Sequence, residues 1–228
     1  DDCVLTNITF TGYASTNGST GNEAIYVNVS SGTVNITVSG GDTPSIRTAG
    51  ATVNLIVNPV AFTVTVKDLD TGSAIENARV LVPVTNGVNF PYQASVTITG
   101  SGTTATVTHT AHGRTTGDNI LITGANQDEY NGAYTITVTG NDTYTYTTPS
   151  TVTASPATGT ITATMVLLNG LTNASGIITN SRTYTSNQPM SGWTRKATGS
   201  PLYRQAPIAD TVNSTTGLSV TVFLQPDE

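Results

Sequence analysis

Charge is scarce in this chain. Of its 228 residues only 10% are Asp, Glu, Lys or Arg, against roughly a quarter in ordinary soluble domains, so solubility rests on the hydroxyls and amides of Thr, Ser and Asn. Eight Lys and Arg, spread along a chain of net charge −6, make no basic stripe that could displace counterions, which argues against a nucleic-acid partner. The single cysteine, Cys3, excludes an internal disulfide and leaves the redox compartment open. No apolar run reaches the roughly 18 residues of a spanning helix, so helical membrane insertion is not expected. The chain opens Asp1-Asp2 without Met or a signal-like n-region, which implies a processed start or a preceding segment. Sequons at Asn7, Asn17, Asn28, Asn35, Asn141, Asn173 and Asn213 follow from a composition rich in Asn, Ser and Thr, and count only in a host that glycosylates.

A sustained helical period is also missing, whereas strict apolar–polar alternation recurs from end to end. The chain therefore reads as all-β. Stretches 24–29, 34–38 and 53–57, separated by turns at Ser31-Gly32 and Gly40-Gly41, read as a short β-meander. Phe62, Val64 and Val66 alternate with Thr63, Thr65 and Lys67 up to a turn at Asp68-Leu69-Asp70-Thr71-Gly72, and a second strand follows at 78–82. Near the end, Leu218, Val220, Val222 and Leu224 share one face of a last strand. Between these lies a Thr-rich run with six strand signals of its own, at 96–99, 104–108, 119–123, 133–139, 143–147 and 160–164, enough to close a small sandwich or barrel.

The segment AFTVTVKDLDTGSAIENARVLV (61–82) resembles the start of transthyretin-like or carboxypeptidase-regulatory-like β-sandwiches, and its expected continuation, MVLLNGLTNASGIIT, arrives only at 165–179. The resemblance implies an Ig-like or transthyretin-like antiparallel sandwich interrupted by a nested module. The expected organisation is an N-terminal β region at 1–60, acting as the end of a longer chain or an assembly arm, a discontinuous sandwich at 61–93 and 165–228, and an inserted module at 94–164. Within the insertion, His112-Gly113, Thr116-Gly117-Asp118, Gly124-Ala125-Asn126, Tyr130-Asn131-Gly132 and the Tyr144, Tyr146 strand resemble a small module of tailed-bacteriophage structural proteins. The flanks are similar to such virion proteins too. That resemblance implies a structural role and brings no catalytic residues with it.

Four places carry residue types suited to chemistry. His109 and His112, the only histidines, have H-x-x-H spacing but no third or fourth ligand in the pattern, and read as a strand residue and a turn residue. Asp68, Asp70 and Gly72 open like a calcium loop, yet Glu76 falls too early for its closing ligand, so a turn in which Asp68 or Asp70 accepts backbone N–H bonds is expected. Asp128 and Glu129 are adjacent and would diverge on a strand, unlike glycosidase carboxylates facing each other across a sugar. Nucleophile-elbow, phosphate-loop and H-E-x-x-H patterns are missing, and no catalytic residue, cofactor or metal is expected. Trp193, Arg195, Lys196, Tyr203 and Arg204 are the remaining candidates. They gather the only Trp and three of the eight cations in a Pro-containing segment, 187–207, that reads as a long loop suited to an intersubunit or glycan contact.

The function expected from these readings is a non-enzymatic structural protein of a phage virion: a capsid decoration, fibre or tail appendage. It would assemble with copies of itself and other virion structural proteins and present loops to host surface glycans, with its location the virion surface. One alternative is an extracellular or cell-surface filament subunit or adhesin that exchanges the strand Val4–Phe10. Another is a carbohydrate-binding accessory module.

Overall fold

A computed structural model describes residues 2–13 and 21–227; the sequon at Asn17 lies outside them. The chain divides into two compact units, 1–61 with 181–184, and 62–180 with 185–228. Strands dominate the described residues of both, as the alternation requires.

The first unit contains β1 (Asp2–Ile8), β2 (Ile25–Val27), β3 (Thr33–Gly41), β4 (Ile46–Thr48) and β5 (Thr52–Val57). The sheet orders are β1-β3-β5 and β2-β4, and every pair is parallel. This corrects the β-meander expected for 24–57. The Gly turns do not fold hairpins; they carry the chain round to the next coil of a stack, about 20 residues on, as in solenoids. Alternation marks which side chains face inward but is blind to strand direction. Inside, Ile36 and Val38 are each 1% exposed and pack with Val27, Ile46 and Ala51. Asn54 Nδ2 donates to Asn35 Oδ1 at 3.2 Å, and these two residues are register partners on β5 and β3, so an amide rung bridges successive coils. β1 pairs with β3 from Asp2↔Asn35 to Ile8↔Gly41, which occupies within the chain most of the segment considered for strand exchange.

The second unit is built from β6 (Val60–Asp68), β7 (Arg79–Pro83), β8 (Ala94–Ser95), β9 (Thr97–Ser101), β10 (Thr104–Thr108), β11 (Asn119–Ala125), β12 (Gly132–Thr135), β13 (Thr137–Gly140), β14 (Thr143–Thr147), β15 (Gly159–Leu171), β16 (Ile177–Arg182), β17 (Gln188–Lys196), β18 (Tyr203–Val212) and β19 (Leu218–Leu224). They form a large sheet β12-β11-β15-β7-β17-β18 with β8 beside β15, a four-stranded sheet β13-β14-β10-β9, and a three-stranded sheet β16-β6-β19 in which β6 and β19 run parallel.

β15 organises this unit. Its N-terminal half pairs with β11, from Ala125↔Gly159 to Asn119↔Val166, and its C-terminal half pairs with β7, from Pro83↔Val166 to Arg79↔Leu171, across a bulge between Val166 and Leu168. The Thr-rich run and its flanks thereby share one sheet. On that sheet's inner face Ile120, Ile122 and Ala163 pack with Ile98, Ala105, Val107, Tyr144 and Tyr146. Further along, Val80, Val82, Leu168 and Met190 are buried, as are Phe62, Val64 and Val66 of β6. Complete burial of such side chains contributes about 1.5–3 kcal/mol each.

Two expected elements differ. The strand read at 133–139 breaks at Ile136, 1% exposed, where the chain leaves the large sheet for the four-stranded one. The long loop read at 187–207 is mostly a hairpin: β17 and β18 pair antiparallel from Gln188↔Val212 to Lys196↔Tyr203. Pro189 and Pro207 discourage a strand reading, because proline cannot donate to a ladder. Here Pro189 lies next to the start of β17, and Pro207 sits on β18, the last strand in the sheet order.

Candidate functional site

The β17–β18 hairpin places the residues read as a loop on the large sheet. Trp193 pairs with Leu81 on one side and Pro207 on the other, and Leu81 in turn pairs with Asn169. The next row is Leu171, Arg79 and Arg195. Partners in an antiparallel ladder project to the same face, so these residues share the outer face, opposite Val80 and Thr194, with Leu81 itself buried at its centre between Trp193 and Asn169. Trp193 is partly exposed, Arg195 exposed, and Leu171 55% exposed.

A polar ladder leads up to the two arginines. Thr135 Oγ1 donates to Asn119 Oδ1 at 3.0 Å, Asn169 Nδ2 donates to the same oxygen at 2.9 Å, and an Arg79 Nη donates to Asn169 Oδ1. Burial lowers the Arg79 pKa, but an arginine side chain remains charged at physiological pH. Its guanidinium is therefore a fixed cation, oriented by an amide. Among the described residues, neither Arg79 nor Arg195 makes an ion pair with a carboxylate.

The other sequence candidates are engaged elsewhere. Tyr203 is 8% exposed and its hydroxyl donates to Asp68 Oδ2 at 2.8 Å. Lys196 Nζ lies 6.0 Å from the Tyr203 ring centroid, and Arg204 Nε bonds Asp227 Oδ1 at 3.0 Å. Of the five residues, Trp193 and Arg195 thus come together on the outer face, joined by Arg79. Its only advance signal was a cation at an outward position of the strand ARVLV.

The acidic candidates serve the fold. Asp68 Oδ1 accepts from Asp70 N (2.9 Å), Thr71 N (2.7 Å) and Thr71 Oγ1 (2.9 Å), the turn expected from the sequence. The Thr71 N–H, and next the Tyr203 hydroxyl, hold its carboxyl below the usual range. Glu129 follows Asp128 in a 3-10 turn and accepts from Thr153 Oγ1 at 2.6 Å and Thr153 N at 2.5 Å; these bonds lower its pKa.

The histidines are buried, His109 at 6% and His112 at 2% exposed. Arg114 N donates to His112 Nδ1 at 3.0 Å, and His112 Nε2 lies 3.0 Å from Gly140 O. His109 Nδ1 lies 3.3 Å from the Tyr144 hydroxyl. Burial first, then Arg114 and His112, pushes its pKa down to about 4. Arg114, 6% exposed, contacts Met165 Sδ at 3.0 Å. An open depression beside them is lined by Gly113, Val138 and Asn141 among others. Among the described residues, no group of three or more His, Cys, Asp or Glu could hold a metal ion.

No family model matches the chain, and no curated protein matches it. Solved structures similar to it include a double mutant of the shaft pilin SpaA from Lactobacillus rhamnosus GG, 10% identical with a TM-score of 0.32. Another is the phage phi92 endosialidase, 14% identical with a TM-score of 0.27. The alignments cover 81% and 66% of this chain but only 54% and 27% of those chains, respectively.

Proposed function

We propose that this chain is a non-enzymatic structural protein of a tailed-phage virion, a scaffold that assembles on the particle surface or an appendage and presents a binding face. The observation that carries the scaffold reading is β15: one continuous strand ties the Thr-rich module to the sandwich flanks, which suits a passive display element. The virion assignment rests on the resemblance of 96–164 and its flanks to phage structural proteins. In the first unit β1 has one neighbour in the sheet order, with Val4 67% and Ile8 39% exposed. An open strand edge of this kind is a natural contact for further copies or other virion proteins.

Mass spectrometry of purified particles of the encoding phage tests this reading. The chain is expected at a fixed copy number alongside the capsid and tail proteins; its absence from washed particles would overturn the assignment. A filament subunit working by strand exchange is the weaker reading, because β1 already pairs with β3 within the chain.

A further inference from the structure

We propose that the outer face around Trp193 binds a carboxylated polysaccharide, with a sugar ring stacked on Trp193 and carboxylates held by Arg79 and Arg195. This deepens the binding part of the scaffold reading and is independent of whether the chain resides on a virion.

Three observations carry it. The first is an electrostatic anomaly: Arg79 and Arg195 are direct cross-strand partners, in a chain of net charge −6 with eight cations in all. Like charges directly opposite one another destabilise a sheet, and neither arginine has a carboxylate partner among the described residues. An anion lying between them relieves that repulsion. Second, the Arg79 guanidinium is aimed in advance: Asn169, itself bonded to Asn119, accepts from one Nη. A planar fork held this way matches a planar carboxylate. Third, Trp193 is next but one to Arg195 on the same strand face, and two strand residues so spaced stand about 7 Å apart, comparable with one sugar residue of a polymer. The apolar face of a pyranose suits an indole, and Asn119, Asn169 and Thr135 continue the surface with amides and a hydroxyl. An open sheet face, with Arg195 and Leu171 exposed on it, suits an extended polymer better than an enclosed small molecule.

Biolayer interferometry on immobilised alginate and polygalacturonate, with dextran as the neutral control and dextran sulfate as a non-carboxylate polyanion, tests the proposal on the intact chain. Binding to the two uronate polymers and not to dextran is expected. Arg79→Gln and Arg195→Gln should each weaken it about tenfold, as should Trp193→Ala, with Trp193→Phe restoring most of the loss. Lys67→Gln removes the same charge from β6, in the three-stranded sheet β16-β6-β19, and should leave binding unchanged. Melting curves confirm that each variant is folded, and Arg195→Gln, at an exposed position, keeps the test decisive if the others are not. Equal binding to dextran, wild-type affinity in Arg195→Gln, or dextran sulfate binding as tightly as alginate would overturn the proposal. So would light scattering that shows self-association abolished by Arg195→Gln, because the face would then meet a second copy. Failure here with the chain present on particles leaves the virion reading intact; binding with the chain absent from particles does the reverse.

Discussion

Replacing Gly192 with alanine is expected to lower the melting temperature by about 6–12 °C, corresponding to a loss of roughly 3 kcal/mol in a domain of this size. Gly192 lies on β17 against the backbone of its neighbour β7. A Cβ there would fall onto the Leu81 carbonyl oxygen and stand 2.6 Å from Val82 Cα. Those atoms are backbone, so neither can rotate away, and the strand pair must separate. The register Trp193↔Leu81 and Arg195↔Arg79 would be disturbed with it, so the variant should also lose polysaccharide binding. Gly72→Ala is the matched comparison. Its φ is +70° with nothing within 4 Å of a new Cβ, so only the strained backbone acts, about 1–2 kcal/mol. Thermal circular dichroism of both variants measures the difference, and a Gly192→Ala melt like that of wild type would contradict the close approach of β7 and β17.

Acidification from pH 6.5 to 5 should destabilise the second unit through His109. In the folded state this ring titrates at about 4, whereas in the unfolded chain it titrates near 6.5. Between these values the unfolded state binds more protons, so stability is full above about pH 6.5 and falls as the pH drops toward 4. The groups facing the ring leave a charge no favourable partner: Arg114 and His112 oppose it, and the nearby Tyr144 hydroxyl is neutral, its own pKa pushed up to about 12 by burial. The loss should reach about 2 kcal/mol by pH 4.5. Urea titrations of wild type and His109→Gln isolate it, because the glutamine retains a polar contact for Tyr144 but does not titrate. The carboxyls of Asp68, Glu129 and Glu23 are held below their ordinary values; their stabilisation is lost only as the pH falls further, through the lowered values. Parallel slopes for the two proteins between pH 6.5 and 5 would contradict the buried, neutral ring.

Side-chain alternation made most individual strands legible. In β6 and β19, and through the Thr-rich run, one face is apolar and the other hydroxyl-bearing, so the period of two is plain. Direction and partnership are not encoded that way. The parallel stack of β1, β3 and β5 has the same alternation as a meander and differs only in where each turn delivers the chain. The β17–β18 hairpin is hidden by Pro189 and Pro207, residues that mark loops in isolation but are tolerated here near a strand start and on the last strand of the sheet order. Trp193 and Arg195 were visible as an unusual cluster. Arg79 could not be joined to them, because its pairing with Arg195 depends on strands far apart in the chain, and Tyr203 and Arg204 were drawn in by proximity in sequence although the fold turns them to Asp68 and Asp227.

The scaffold account depends above all on the Thr-rich module and its flanks forming one body through β15. Native-state hydrogen exchange along β11, β15 and β7 tests this most directly. The account predicts that the hydrogen-bonded amides of 162–170 exchange together with those of β11 and β7, at a common slow rate set by global opening of the second unit. Fast, separate exchange of 94–164 while β7 and β17 stay protected would show an independently opening module and contradict it.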